Sequence, residues 1–144
     1  QDMSLNGVIN TAAVRDEGTT ISYVPLAYPA VADRHVVDAL ARAAKKLGYN
    51  FAEGITHSKD AFYAEIEPDN MPNSDYVKSR WQAWERSNVM CSEMEAAAIF
   101  IVSSIRNCRA SAVMAYKKVN LQAAMETAIE GLRILIEEDK KLGR

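Results

Sequence analysis

The pattern that most narrows what this chain can fold into is a helix set between two strand-like runs. Val36, Val37, Leu40, Ala41, Ala44 and Leu47 recur at the spacing of one helical face. Asp33 stands where an N-cap belongs, Lys45 and Lys46 fall in the last turn, and Gly48 fits the residue just past the end. Residues 7–14 ahead of this helix form an apolar, strand-like run, and residues 49–56 behind it read as a second strand. A strand that follows another through a helical crossover pairs parallel to it. The order therefore predicts a parallel sheet with helices packed on it.

The remaining elements extend that plan. Arg15, Asp16, Glu17 and Gly18 supply turn chemistry, and residues 21–24 read as a short strand or arm that stops at Pro25. A polar loop follows the second strand, from His57 to Pro72. In open α/β sheets ligands bind beyond the carboxyl ends of the strands, so this loop lies where a ligand is expected. Ser74 can cap a helix carrying Tyr76, Val77, Trp81 and Trp84, with the tryptophans as packing anchors. Residues 110–115 read as another buried strand. A last helix begins near Asn120, its apolar stripe made by Leu121, Met125, Ala128, Ile129, Leu132, Leu135 and Ile136.

Length and charge exclude several classes. With 144 residues, 49% hydrophobic and 25% charged, the chain has enough apolar material for one globular domain with a real core. Its net charge of −2, without a basic stripe, argues against nucleic acid as the main partner. No apolar run approaches the roughly 18 residues that span a bilayer, and no signal-peptide pattern opens the sequence. Cys91 and Cys108 lack metal-ligand spacing and read as reduced core thiols of a cytosolic protein.

The stretch richest in chemistry runs from Cys91 to Phe100. Met94, Ala98, Ile101, Val102 and Ile105 recur at helical spacing, with Ser92 as a plausible N-cap and Glu93 and Glu95 near the first turn. One reading is simply a buried helix. The other is that a carboxylate at a helix start, beside an apolar wall, grips a vicinal diol such as a ribose 2′,3′-hydroxyl pair. Hydrogen bonds to a charged group contribute about 1.5–3 kcal/mol each. Other residues stay open on sequence alone. Lys59 is either a solvated loop cation or a donor, and Phe62 either core or a stacking platform. His35 and His57 have no partner pattern, and Glu65 and Glu67 read as solvated. No CxxC pair, GxGxxG loop or Ser-His-Asp order is present.

Four stretches taken together resemble the uridine phosphorylase branch of the nucleoside phosphorylase superfamily. They are residues 11–18 with 27–33; Gly54 to Tyr63; Trp81-Gln82-Ala83-Trp84; and Ser92-Glu93-Met94-Glu95-Ala96-Ala97. The resemblance implies a mixed, mostly parallel sheet flanked by helices, assembled as a dimer or hexamer. It also implies phosphorolysis: phosphate attacks the anomeric carbon of a nucleoside through an oxocarbenium-like transition state. The products are free base and ribose 1-phosphate. By that resemblance Glu95 holds the ribose hydroxyls, Met94 packs on the sugar, Glu93 supports the pocket, Phe62 stacks with the base and Lys59 lies near it. Phosphate is the co-substrate, and no metal or organic cofactor is implied.

The sequence also departs from the family. Members are considerably longer, and residues 1–144 match as a single domain lacking their front part, where the glycine-rich phosphate loop and phosphate-binding arginines lie. Ile66 and Pro68 stand where uridine-specific members carry an amide and an arginine. Only Tyr116, Lys117, Lys118 and Val119 separate the strand ending at Ala115 from Asn120, where the family has a further strand and a mobile loop. A physical gap in the chain between about Ala115 and Val119 is therefore expected. The alternatives are a nucleosidase that uses water, a purine-accepting phosphorylase, or an inactive nucleoside-binding subunit.

Overall fold

The computed structural model describes residues 4–143. Its sheet is built on β1 (Gly7–Asp16), which pairs in parallel with β3 (Phe51–Lys59), which in turn pairs in parallel with β4 (Val89–Glu93). The other edge of β1 is shared by two short antiparallel strands, β2 (Ala30–Val31) beside Ala12 and Ala13, and β5 (Ala112–Ala115) beside residues 7–10. The expected mixed, mostly parallel sheet is thus observed. Helix α1 (Arg34–Leu47) makes the crossover from this edge to β3. Its ends are closed as the sequence predicts. The Asp33 carboxylate accepts from the backbone N–H groups of His35 and Val36 at 2.9 and 3.1 Å, and Gly48 ends the helix at φ 77°.

One face of the sheet carries the apolar core. Ile9 and Ala13 of β1 pack with Val37, Leu40 and Ala44 of α1 and with Ala96, Ala97, Phe100 and Ile101 of α4 (Ala96–Ile105). On the opposite face lie α2 (Phe62–Ile66) and α3 (Ser74–Arg86), in which no residue is buried. Helix α5 (Leu121–Leu142) lies along α1.

Three local expectations are corrected. Residues 20–22 form a single 3₁₀ turn in place of a strand, because the Arg15 guanidinium gathers the carbonyls of Val24, Pro25, Leu26 and Tyr28 and curls the segment around itself. The stripe of α5 is turned outward: Leu121, Met125, Ile129, Leu132 and Ile136 are each at least half exposed. The buried face is made by Ala123, Ala124, Thr127, Gly131 and Leu135. Close approach to α1 is the reason, since a Cβ on Gly131 would come within 2.8 Å of the Leu40 side chain. Small side chains let the two helix backbones meet, and Lys46 locks them by an ion pair of 2.5 Å to Glu130. The third correction concerns the interval after β5. No gap occurs there: a 3₁₀ turn over Lys118–Asn120 joins β5 to α5, with the Asn120 amide donating to the Tyr116 carbonyl at 2.5 Å. Tightness forces Lys117 to φ 64°, a conformation non-glycine residues rarely adopt.

Gly7 marks the closest approach within the sheet. A Cβ added there would sit inside the van der Waals shell of the Met114 carbonyl oxygen, which is backbone and has no rotamer to escape through. Gly7→Ala should therefore part β1 from β5 and lower unfolding stability by about 1–3 kcal/mol, read from the urea midpoint.

Candidate functional site

Parallel pairing brings three strand ends to one edge of the sheet. Asp16 of β1 is in register with Lys59 of β3, and Ser58 of β3 with Glu93 of β4. Alternation then sends side chains to opposite faces. Thr56, Ser58 and Glu93 point toward α4, whereas His57, Lys59 and Ser92 point toward α2 and α3.

On the α4 side Glu93 is fully engaged. Its Oε1 accepts from the Ser58 hydroxyl at 2.5 Å and lies 3.3 Å from that of Thr56. Its Oε2 accepts from the backbone N–H groups of Glu95 and Ala96, both at 2.6 Å. The carboxylate thereby caps α4, a task the sequence reading gave to Ser92. Ser92 lies in β4, paired with His57, because residues 89–93 are drawn into the parallel ladder before the helix can begin. Met94 and Glu95 form the corner between strand and helix, both exposed. Of the Glu95 carboxylate, one oxygen accepts from the Met94 N–H at 3.2 Å. The rest faces outward at the N-terminus of α4, where the helix dipole favours negative charge.

The α2–α3 side holds a charge network that the sequence did not reveal. His57 is only 2% exposed; its Nε2 meets Asp16 at 2.9 Å and its Nδ1 lies 3.3 Å from the Ser92 hydroxyl. Trp81 and Trp84 flank the imidazole with ring centroids at 5.9 and 5.8 Å. Lys59, read as a possible solvated cation, is 9% exposed and donates to Ser92 at 2.8 Å. Its ammonium lies 3.1 Å from Glu65 and within 5.9 and 5.8 Å of the ring centroids of Phe62 and Trp81. Glu65, read as solvated, has a side chain only 14% exposed. Phe62, by contrast, is 48% exposed, with the Tyr63 ring edge-on to it at 5.4 Å between centroids. Arg80 of α3 completes the set by pairing with Asp16. Lys59 donates to the Ser92 hydroxyl, which in turn donates to the His57 backbone carbonyl at 3.2 Å. Asp16, His57, Lys59, Glu65, Arg80 and the two tryptophans line a cavity of about 340 Å³ between the strand ends and the two helices.

Residues 6–135 match the family described as the Phosphorylase superfamily. The chain belongs to that superfamily. It is similar to the uridine phosphorylase of Treponema pallidum, at 36% identity over 146 residues, covering 92% of this chain and 57% of the relative. The uridine phosphorylase of Thermococcus kodakarensis is 35% identical, over 95% of this chain and 53% of the relative. A guanosine phosphorylase of Halorubrum lacusprofundi is 33% identical over 106 residues, which cover 74% of this chain and 39% of the relative. The chain thus spans about half the length of the curated relatives it matches.

Within this phosphorylase-superfamily chain the five residues singled out from sequence all fall at the carboxyl edge of the sheet. Glu93, Met94 and Glu95 make the turn into α4, while Lys59 and Phe62 lie at the exit from β3. Asp16, His57, Glu65 and Arg80 were missed. The signal for His57 and Lys59 was their alternation along β3, hidden because the strand was ended at Thr56 instead of Lys59. Among the described residues, no group of three or more His, Cys, Asp or Glu side chains is placed to hold a metal ion, and no helix is long and apolar enough to cross a membrane.

The cysteines divide. Cys108 is exposed, contrary to the core assignment, while burial pushes the Cys91 thiol up to about 11. At pH 8 an alkylating reagent should label Cys108 rapidly and Cys91 only on unfolding, as mass spectrometry of partial digests would show. The two glutamates divide in a similar way. Glu93→Ala orphans a helix cap and two hydroxyls and should cost about 2–4 kcal/mol in urea unfolding. Glu95→Ala should change stability by less than about 0.5 kcal/mol.

Proposed function

We propose that the chain forms the ribose- and base-binding part of a nucleoside phosphorylase. The observation that carries the reading is the Glu93-Met94-Glu95 corner. One carboxylate is spent on holding the backbone, and the next is presented outward beside an exposed methionine. An ionised carboxylate accepts from both hydroxyls of a ribose diol, and the apolar thioether covers the sugar. Phe62 offers a half-exposed face for the base, and Lys59 a cation near its edge.

The comparisons support this reading through relatives named uridine and guanosine phosphorylase. In the proposed reaction phosphate displaces the base at the anomeric carbon. Glu95 orients the ribose and stabilises the charge that spreads over the sugar as the glycosidic bond breaks. The proposal needs no metal or organic cofactor. Uridine-like nucleosides are the proposed substrates, and the whole protein is proposed to act on them as a homo-oligomer.

Assay of the whole protein tests the reading. Phosphate-dependent release of base with formation of ribose 1-phosphate is the expected result; base release in the absence of phosphate would make it a nucleosidase. Glu95→Ala should lower kcat/KM on uridine by about 30- to 1,000-fold, the scale of two charge-assisted hydrogen bonds. On 2′,3′-dideoxyuridine the same change should have less than about threefold effect, because the lost contacts are already missing. A kcat/KM on uridine within threefold of the unaltered protein would sink the ribose assignment.

A further inference from the structure

We propose that the outward stripe of α5 is a twofold interface, on which a second copy of this chain lies antiparallel. The inference goes beyond the nucleoside reading and does not depend on it, since none of the residues assigned to that site lies on α5.

Helix α5 has two unlike faces. Its small residues, among them Ala123, Ala124 and Gly131, are committed to the close approach to α1, and the Lys46–Glu130 pair holds the helix there. The large apolar side chains therefore stand on a helix already fixed in place. Leu121, Met125, Ile129, Leu132 and Ile136 are 55%, 57%, 50%, 60% and 53% exposed. They follow one another at steps of four, four, three and four residues, which keeps them on one line. At 1.5 Å per residue that line is about 22 Å long. Apolar residues scattered singly over a surface are ordinary, whereas a contiguous row of five marks an interaction site.

The two ends of the line indicate what covers it. One turn ahead of Leu121 the next position is Lys118, exposed in the 3₁₀ turn and, among the described residues, without an ion pair. Three residues beyond Ile136 the line reaches Asp139, whose carboxylate is held by Arg109. A cation at one end and an anion at the other make the line complementary to itself in one direction. Parallel copies would set Lys118 against Lys118 and Asp139 against Asp139. Antiparallel copies set each Lys118 against Asp139 of the other copy, and a twofold axis across the helices imposes that direction. The same register brings Leu121 to Ile136 and Met125 to Leu132. It crosses the helices at Ala128 and Ile129, where the small Ala128 lets the backbones approach. The net charge of −2 opposes such pairing only weakly. Two lines of this length, on helices about 10–12 Å across, remove on the order of 1,000 Å² from water in total. That is the low end of a specific interface, so the association is reversible.

Analytical ultracentrifugation of the 144-residue chain between about 2 and 200 µM tests this, because an interface of that area gives a dissociation constant of about 1–100 µM. A concentration-dependent shift from monomer to dimer is expected. Ile129→Asp sets two carboxylates together at the axis and should weaken the dimer at least about 100-fold. Lys118→Glu should weaken it about 3- to 30-fold, and adding Asp139→Lys to that variant should recover most of the loss. Far-UV circular dichroism checks that each variant is folded; if Ile129→Asp is not, Met125→Asp, on the same line, takes its place. A chain that stays monomeric at 200 µM overturns the inference and leaves the stripe to another occupant, such as a further segment of a longer polypeptide. A dimer untouched by folded Ile129→Asp and Met125→Asp overturns it by placing the interface elsewhere. Loss on Lys118→Glu that folded Lys118→Glu, Asp139→Lys does not recover overturns the antiparallel arrangement.

Discussion

The Glu93 carboxylate is the constraint on which the rest of the edge depends. A strand that ends and a helix that begins within three residues leave N–H groups with no partner in either element. Glu93 takes two of them, at Glu95 and Ala96, and takes the Ser58 hydroxyl from the neighbouring strand with its other oxygen. Ser58 in turn accepts from the Ala97 N–H at 2.9 Å. Strand order, helix start and side-chain direction are thus tied at one group. Because that group is charged, each bond is stronger than its neutral counterpart. The corner residues Met94 and Glu95 can remain exposed because their backbone is already held.

How legible this was in the sequence varies with the range of the forces involved. Helix α1 was plain because its signals are local: an Asp33 cap, a 3.6-residue stripe and Gly48 lie within one segment. Ser92 looked like a cap for the same local reason, but pairing with His57, 35 residues earlier in the chain, overrode it. The outward face of α5 was misjudged because small residues, which carry little hydrophobic signal, won the contact with α1. Burial of Lys59, Glu65 and His57 follows from the arrangement of β3 against α2 and α3. No spacing rule reports that, since the partners come from four separate elements. The family resemblance singled out Glu93, Met94 and Glu95, whereas physical reading of the sequence placed only two carboxylates at a helix start.

The α2–α3 region is attached in an unusual way for a covering layer. Neither helix buries a residue, so apolar contact contributes little to holding it. Its grip is polar and aromatic: Arg80 on Asp16, Glu65 near Lys59, Trp81 and Trp84 against His57. Such attachment has two properties. It fixes direction, because ion pairs and ring edges are geometrically selective, and it opens at a low free-energy cost compared with the core beneath. Strand ends held by Glu93 on one face and a polar cover on the other give a rigid floor with a separable roof.

The outward stripe of α5 carries a different consequence, in colloidal behaviour. Five large apolar side chains from Leu121 to Ile136 lie along one exposed line of a 22-residue helix. The chain's net charge is only −2, so long-range repulsion between copies is weak. Sulfate or phosphate salts, which strengthen apolar association, work on that line directly, and lowering the temperature works against it. Handling of the chain in solution is therefore governed by one helix face: it is retained on alkyl-substituted matrices at high salt, released as salt falls, and least self-adherent when cold and dilute.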